Sequence, residues 1–304
     1  MRVVVTGATG TIGLALTDAL RGRGDDVVAL SRDQQRGQRV LGDAVEVHAW
    51  PHPNDQPPPE AALRGADAVV HLLGEPVAQR WTDESKRRIR ESRVNATRSL
   101  VAGLSSLAQA DRPRVLVSQS ATGYYGPRGD ETVDEHASPG SDFLAEVVVA
   151  WEREALRAKP LMRVALTRTG VVVSPSGGAL AKMLPFFRLG IGGPVAGGHQ
   201  YVPWVHLDDV VGALLFCVDD ERAAGPVNLT APNPVDNAEF SHALGRVLRR
   251  PAVLPVPGFA IGLLYGEMAQ VVTTGQRAIP ERLRELGYVF RQPQIGPALR
   301  AVLG

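Results

Sequence analysis

The sequence predicts an α/β fold, in which a doubly wound parallel sheet is followed by a smaller C-terminal α+β substrate-binding portion. Short β-branched runs alternate with stretches whose apolar residues recur at helical spacing. The predicted strands are apolar at nearly every position, which is typical of a parallel sheet covered by helices on both faces. We expect residues 1–175 to form the sheet domain and residues 176–304 to pack on it and to be partly interleaved with it.

The first three elements set the pattern for the domain. RVVVT at 2–6 predicts a strand, a glycine-rich turn follows, and LALTDALRGRG predicts a helix that leads into the strand DDVVALSR. Two parallel strands joined in this way need a right-handed crossover through the helix. The same alternation predicts further strands at 45–50, 65–74, 113–120 and 162–172, with helices at 83–107 and 142–158.

The second portion differs from the first in composition and in its pattern of predicted elements. Residues 175–200 are rich in glycine and predict loops around one helix. VPWVHLDDVVGALLFCVDD predicts a turn that leads into another helix. NAEFSHALGRVLRR predicts a helix that Asn237 caps, with Glu239 nearby. Prolines at 251, 255 and 257 predict an extended segment, and the chain from 259 to its end is predicted to be mostly helical.

Composition narrows the classes of function. The 304 residues carry a formal net charge of +1, so no basic surplus attracts nucleic acid. Cys217 is the only cysteine, which excludes an internal disulfide and a thiolate metal cluster, and we expect it to be buried. No signal-peptide pattern or long apolar run is present. We therefore expect a cytoplasmic protein with a small-molecule substrate and no metal, membrane or nucleic-acid partner.

TGATGTIG places glycines at 7, 10 and 13 between the first strand and the first helix. In this context Gly7 permits a tight turn, Gly10 lets the backbone approach a pyrophosphate, and Gly13 allows close packing of helix and sheet. The start of the helix offers free N–H groups and a positive dipole end. The predicted dinucleotide contacts are therefore Gly7, Thr9, Gly10, Thr11, Ile12 and Gly13.

The end of the second strand bears on which dinucleotide binds. A carboxylate there accepts hydrogen bonds from the ribose of NAD, whereas an arginine pairs with the 2′-phosphate of NADP. Ser31 and Arg32 suit a phosphate, so we predict that NADP(H) is preferred. Asp33 stands one residue late for the carboxylate role, and its presence leaves NAD(H) open.

Several motifs together resemble the extended short-chain dehydrogenase/reductase superfamily, and more narrowly the epimerase-family proteins of the YfcH type. They are TGATGTIG, HLLG, SRVNATRSL, SQSATGYYG, LTRTGVV, WVHLDDVVGALL and GQRAIPERLRELGYVFR, and the likeness covers essentially the whole chain. The resemblance implies a Rossmann fold that binds NADP. It also implies further cofactor contacts at Leu72, Leu73, Gly74, Arg93, Ser118 and Val172.

The superfamily's proton-transfer pair is missing. Its members use a tyrosine and, four residues later, a lysine, because free tyrosine has a pKa near 10 and is a poor base at neutral pH without a nearby cation. Ser120 occupies the position of the superfamily's serine. Phe143 or Leu144 stands where the tyrosine belongs, and Val147 or Val148 where the lysine belongs.

Other groups are available for the chemistry. Tyr124 and Tyr125 follow Ser120 closely, Glu146 lies on the next helix, and Lys182 and His206 are candidate substrate contacts. One hypothesis is an NADP(H)-binding oxidoreductase or epimerase-like enzyme that uses these groups. The other is a non-catalytic NADP(H)-binding sensor or scaffold. Helices that flank such sheets often form the interface between two subunits, so we also consider a homodimer.

Overall fold

The computed structural model describes all residues from 1 to 304. Its strands, in chain order, are β1 (Arg2–Thr6), β2 (Asp26–Ser31), β3 (Glu46–Ala49), β4 (Ala68–His71), β5 (Val115–Ala121), β6 (Thr132–Val133), β7 (Arg163–Thr169), β8 (Val171–Val173), β9 (Tyr201–Val202), β10 (Trp204–His206), β11 (Gly225–Leu229), β12 (Val235–Asp236) and β13 (Arg277–Ala278). Its helices are α1 (Thr11–Gly22), α2 (Gln34–Leu41), α3 (Glu60–Leu63), α4 (Asp83–Ser106), α5 (Phe143–Leu156), α6 (Gly178–Arg188), α7 (Leu207–Asp219), α8 (Asn237–Leu248), α9 (Gly258–Tyr265), α10 (Ala269–Thr273), α11 (Glu281–Glu285) and α12 (Ile295–Leu303).

The central sheet has seven strands in the order β11-β7-β5-β4-β1-β2-β3. Every neighbouring pair in it is parallel, which confirms the predicted doubly wound α/β fold. The strand order reverses between β1 and β4, and such a switch point opens a crevice at the carboxyl edge of the sheet. The second portion supplies β11, so the two portions share one sheet.

Apolar clusters cover both faces of the sheet. Val3 and Val5 point into one cluster with Leu16 and Leu214, whereas Val4 points into the other. Burial on both faces explains why the strands lack an alternating polar pattern. A third cluster lies in the second portion and includes Trp204, Phe240 and Leu299. Cys217 is fully buried, as predicted.

The strand predicted at 162–172 is interrupted at Gly170. A β-carbon on Gly170 would lie 3.0 Å from the carbonyl carbon of Pro203, so only glycine allows this close approach. Val171 then donates a backbone hydrogen bond of 2.7 Å to Pro203. The chain leaves the central sheet here, and β8 pairs with β10 instead.

The predicted cap of α8 was wrong. Asp236 caps the helix, and its carboxylate accepts a hydrogen bond of 2.7 Å from the backbone N–H of Glu239. Asn237 is the first residue of the helix, and its side-chain oxygen accepts a bond of 2.8 Å from the N–H of Val195. Aspartate and asparagine are about equally good caps, so the preference for Asn237 had no energetic basis.

Two further features bear on the predicted class of protein. None of the helices combines the length and the apolar character that crossing a lipid bilayer requires. The fold brings together no group of three or more histidine, cysteine, aspartate or glutamate side chains able to hold a metal ion.

Candidate cofactor and active site

The glycine loop, residues Gly7–Gly13, is held tightly against the end of β4. Gly7 has a φ of +68°, and a β-carbon there would lie 2.8 Å from the carbonyl oxygen of Leu72. A β-carbon on Gly13 would lie 2.7 Å from the Cα of Ala8. Both positions therefore need glycine for steric reasons, whereas Gly10 is exposed, and a β-carbon there would lie 3.3 Å from the carbonyl oxygen of Gly7.

The first turn of α1 has groups suited to an anion. Gly10 caps the helix without a side-chain hydrogen bond, and the first turn contains no acidic residue. Thr9 is exposed, and Thr11 and Ile12 are half-buried. The unpaired N–H groups and the positive end of the helix dipole at this point are suited to a phosphate, as the sequence predicts.

The end of β2 carries the residues that bear on the choice between NADP and NAD. The carboxylate of Asp33 caps α2 and accepts a hydrogen bond of 2.9 Å from the N–H of Arg36. Ser31 donates a hydrogen bond of 2.8 Å to the backbone oxygen of Asp33. Arg32 is exposed and forms no ion pair within the chain. The guanidinium is thus available for a 2′-phosphate, while the carboxylate already has a partner.

Arg93 lies against the segment after β4. Its guanidinium is so close to Gly74 that a β-carbon there would be 3.1 Å from the Cζ atom. Leu72 and Leu73 are half-buried beside it. Burial lowers the pKa of Arg93 to about 10, which leaves it charged at neutral pH. A half-buried charge without a carboxylate bonded to it suits a phosphate or ribose ligand.

The side chain of His71 in β4 forms hydrogen bonds with β1 and α4 at this edge of the sheet. Its Nδ1 lies 2.7 Å from the hydroxyl of Thr6, and its Nε2 lies 3.0 Å from the hydroxyl of Thr97. The Thr6 hydroxyl also accepts a bond of 3.1 Å from the N–H of Leu72. Burial lowers the pKa of His71 to about 4, so the ring is neutral and fixes β1 against β4.

The serine of β5 belongs to a buried polar network. Ser120 donates a hydrogen bond of 2.6 Å to Glu152 Oε1 on α5. Arg168 of β7 binds the same carboxylate with two nitrogens, Nε at 2.8 Å and Nη2 at 2.9 Å. Its Nη1 donates to the hydroxyl of Tyr125 at 3.1 Å, and that hydroxyl donates to Asn228 at 2.6 Å. We call these five residues the Arg168 network.

The network is sealed from water. Arg168 is 2 % exposed and Tyr125 is 0 % exposed. Burial opposes the charge on Arg168, but its hydrogen bonds and its attraction to Glu152 outweigh that effect and raise its pKa above the ordinary value. Burial also raises the pKa of Tyr125 to about 12. The Tyr125 hydroxyl therefore stays protonated and has both a donor and an acceptor already.

Tyr124 differs from its neighbour. It is half-buried, and its ring lies on the guanidinium of Arg168 with the Cζ atom 3.4 Å from the ring centroid. The Tyr125 ring meets it edge on, with the ring centroids 5.4 Å apart. Of the two tyrosines predicted as candidates, Tyr124 is the one with surface open to a ligand.

Helix α5 packs its apolar face on the segment that carries Tyr124. A β-carbon on Gly123 would lie 3.4 Å from the Cβ of Leu144 and 4.0 Å from a methyl carbon of Val148. Leu144, Val148 and Glu152 follow one another at helical spacing, so the positions expected for tyrosine and lysine face this segment as leucine and valine. Glu146, the acidic candidate on this helix, is exposed.

The two candidate substrate residues lie in the second portion. Lys182 of α6 is exposed and donates a hydrogen bond to the backbone oxygen of Ala78, in the loop after β4. Gly177, which caps α6, lies against Thr11, where a β-carbon would be 2.5 Å from the hydroxyl oxygen. Helix α6 therefore starts beside the glycine loop and spans toward the loop at 75–81.

His206 caps α7, and its Nδ1 accepts a hydrogen bond of 3.1 Å from the N–H of Asp208. Its Nε2 is buried without a partner. Val172 is half-buried in β8, opposite Val205 of β10. Ser118 is fully buried within β5, where its backbone oxygen accepts a bond of 3.3 Å from Thr167.

Sequence reasoning missed the two charged residues at the centre of the network. Glu152 and Arg168 are 16 residues apart and meet only because α5 packs across β5 and β7. One signal was available, since an arginine within a strand predicted to be buried on both faces needs a partner inside the protein. The identity of that partner could not be read from the chain.

The glycine loop, the free helix terminus and Arg32 define a dinucleotide-binding protein of the doubly wound α/β class. Comparison with known proteins gives the family: the NAD dependent epimerase/dehydratase family matches residues 3–229, and a domain of unknown function, DUF1731, matches residues 256–302. The chain belongs to this NAD(P)-binding epimerase/dehydratase family, as the sequence motifs predicted.

Relatives agree along the full chain. The epimerase family protein SDR39U1 homolog, chloroplastic, of Arabidopsis thaliana is 40% identical over 310 residues, which cover 100% of this chain and 87% of that protein. The crystal structure of human epimerase family protein SDR39U1 (isoform2) with NADPH is 32% identical, with a TM-score of 0.89 and coverage of 100% and 99%. UDP-glucuronic acid 4-epimerase from Bacillus cereus in complex with NAD is 15% identical at a TM-score of 0.78, with coverage of 100% and 96%, and shows the fold alone.

Proposed function

We propose that the protein is an NADP(H)-dependent oxidoreductase or epimerase-like enzyme that acts on a carbonyl or alcohol group of a small anionic substrate. The observation that carries this proposal is the position of Tyr124. It is a half-exposed phenol on the segment directly after β5, at the same carboxyl edge of the sheet as the glycine loop. A proton-transfer group and a dinucleotide site thereby open into one crevice.

NADP(H) is the cofactor that the residues favour. Arg32 is free to pair with a 2′-phosphate, whereas Asp33 is engaged as the cap of α2. The human relative at a TM-score of 0.89 was crystallised with NADPH. NAD(H) stays possible, because structures of the same fold contain NAD.

The chemistry needs a proton donor beside a hydride donor. In the reducing direction the substrate carbonyl carbon accepts a hydride, which the reduced nicotinamide supplies when it is bound. Tyr124 gives its phenolic proton to the carbonyl oxygen as that oxygen becomes an alkoxide, and the phenolate regains a proton from solvent on its exposed side. The alcohol and the oxidised cofactor leave with all atoms accounted for, and oxidation runs through the same steps in reverse.

Arg277 supports an anionic substrate. It is half-buried, its Nε has no hydrogen-bond partner, and its guanidinium lies 5.0 Å from the ring centroid of Tyr201. Arginine that is stacked on an aromatic ring and lacks an internal carboxylate is well placed to bind a phosphate or carboxylate. Arg188 and His199 are both exposed in the same portion and are weaker candidates for this contact.

A panel of aldehydes and ketones that carry phosphate or carboxylate groups tests the proposal. Consumption of NADPH is followed at the nicotinamide absorbance, first with the wild-type protein and then with Tyr124→Phe. We expect turnover of at least one anionic compound, and its loss in Tyr124→Phe. Tyr125→Phe is the matched control, because the buried hydroxyl of Tyr125 should affect stability more than turnover.

A non-catalytic NADP(H) sensor is the second candidate. It is favoured by the apolar Leu144 and Val148 at the usual catalytic positions, and by the hydrogen bond that commits the Ser120 hydroxyl to Glu152. For a sensor, we expect tight NADPH binding with no turnover across the panel. Turnover that depends on Tyr124 would rule it out.

A further inference from the structure

The phenol of Tyr124 has no lysine beside it, but it does have a cation. The Cζ atom of the Arg168 guanidinium lies 3.4 Å from the centroid of the ring, and Arg168 is buried. Glu152 holds the Nε and Nη2 edge, and the Tyr125 hydroxyl accepts from Nη1. The face of the guanidinium is therefore what Tyr124 contacts.

We propose that Arg168 does for Tyr124 what lysine does for the tyrosine of related enzymes, by supplying the positive charge that favours the phenolate. The proposal rests on the proposed function for its biological purpose, but the electrostatic effect is a property of the folded chain. Arg168 touches neither substrate nor reacting atoms in this scheme, and is a positioning residue that acts through Tyr124. Glu152 fixes it in place with two hydrogen bonds.

The fold explains how the cation reaches this position. Arg168 comes from β7 and Ser120 from the neighbouring β5, where the two residues are paired in the strand register. Residues Thr122–Tyr125 form a short 3-10 helix over the ends of these strands, which lays the Tyr124 ring on the guanidinium. The cation thus approaches from the sheet, since the helix side is closed by Leu144 and Val148.

Other charged groups near Tyr124 are already engaged. Glu135 accepts hydrogen bonds from the N–H groups of Asn228 at 2.7 Å and Arg282 at 3.2 Å. Arg128 donates to the backbone oxygen of Tyr125 at 2.9 Å. Asp142 caps α5 through a bond of 2.8 Å to the N–H of Ala145. Burial raises the pKa of Glu135.

Nitration by tetranitromethane tests the proposal without a substrate, because this reagent attacks the phenolate form of tyrosine. The full-length protein is treated over a range of pH, and each tyrosine is followed by peptide mass mapping. The key variant is Arg168→Met combined with Glu152→Gln, which removes both charges and leaves neither partner as an unpaired buried ion. We expect nitration of Tyr124 at neutral pH to fall by up to about tenfold, because the double variant no longer places a cation against its ring.

Arg168→Lys, which keeps the charge, should retain most of the reactivity of Tyr124. The matched control is Arg98→Met with Glu154→Gln, which removes a second arginine–glutamate pair, between Arg98 of α4 and Glu154 of α5, with nitrogen and oxygen 3.2 Å apart. It should leave the nitration of Tyr124 unchanged. Tyr265, half-exposed, serves as an internal reference, and nitration of the buried Tyr125 would report loss of the fold.

Two results would overturn the proposal. The first is nitration of Tyr124 that does not change in the Arg168→Met/Glu152→Gln variant while Tyr125 stays protected. The second is a loss of nitration in Arg168→Lys that equals the loss in this double variant. The first would show that the cation has no effect, and the second that only stacking matters. The failure of the proposed function looks different. In that case the nitration of Tyr124 depends on Arg168, and yet no carbonyl compound is reduced.

Discussion

The glycine loop and the Arg168 network lie at the same carboxyl edge of one sheet, but they are built in opposite ways. The loop uses backbone from one continuous stretch, where Gly7 and Gly13 are required because no side chain fits. The network uses side chains from five separate elements, the outermost of them 108 residues apart in the numbering from Ser120 to Asn228. A site built from one stretch of backbone can be predicted from the sequence, whereas a network of side chains from separate elements cannot.

Removing one charge from the network should have the largest effect on stability. Arg168→Met leaves Glu152 buried without its cation, and breaking a buried pair in this way typically costs about 3–5 kcal/mol. We expect the free energy of unfolding in urea to fall by that amount, and to recover largely when Glu152→Gln is added. If the single and double variants were equally unstable, packing and not the unpaired charge would be the cause.

Arg98→Met provides the comparison for that experiment. Arg98 is about half exposed, and Glu154, although buried, keeps a second contact with Arg157 at 3.2 Å. Glu154 is therefore not left without a cation, and an arginine this exposed should contribute about 1 kcal/mol, as in a surface pair. The variant should therefore unfold close to the wild type.

The glycine loop also depends on a side chain, because hydrogen bonds of His71 connect β1 to β4 next to the loop. Burial lowers the pKa of His71 from 6.5 to about 4. The unfolded chain therefore binds a proton between these values that the folded chain does not, so stability should fall as the pH is lowered from about 6.5 to about 4, and level off below. The loss over this window should be about 3 kcal/mol, since each pKa unit corresponds to about 1.4 kcal/mol.

Urea unfolding at pH 7 and pH 4.5 checks this pH dependence. His71→Gln removes the titrating ring and should flatten the curve in the window, whereas His52→Gln, at an exposed site, should leave it as steep as in the wild type. A wild-type curve that is flat between these pH values would contradict the role assigned to His71.

Prediction from sequence succeeded where a local pattern determines the structure. The parallel sheet, its strand positions and the glycine loop all follow from short stretches whose apolar or glycine residues have one physical use. The cap of α8 was predicted wrongly because Asp236 and Asn237 are adjacent and are about equally good N-cap residues. Glu152 and Arg168 were missed because their partners depend on how α5 crosses the sheet, and no local pattern encodes that.

The steric argument for the loop is tested by Gly13→Ala. The added methyl group would meet the backbone of Ala8 at 2.7 Å, which forces the loop away from the first turn of α1. Losing two or more hydrogen bonds to a charged phosphate should weaken NADPH binding on the order of a hundredfold, as measured by calorimetry. Gly22→Ala in the same helix meets nothing within 4 Å and should bind NADPH normally. Normal binding by Gly13→Ala would refute the steric reading.

Arg32→Ala should give the smallest effect, and it separates the 2′-phosphate from the rest of the cofactor. The exposed guanidinium pairs only with that phosphate in our proposal, so NADPH affinity should fall about tenfold while NADH affinity stays nearly constant. Thermal shift with each cofactor reports both, because a ligand that binds only the folded state raises its apparent stability. Arg39→Ala, in the last turn of α2, is the matched exposed control. Equal losses for NADPH and NADH would place Arg32 at the shared part of the dinucleotide, and the choice between cofactors would then depend on the backbone around Ser31.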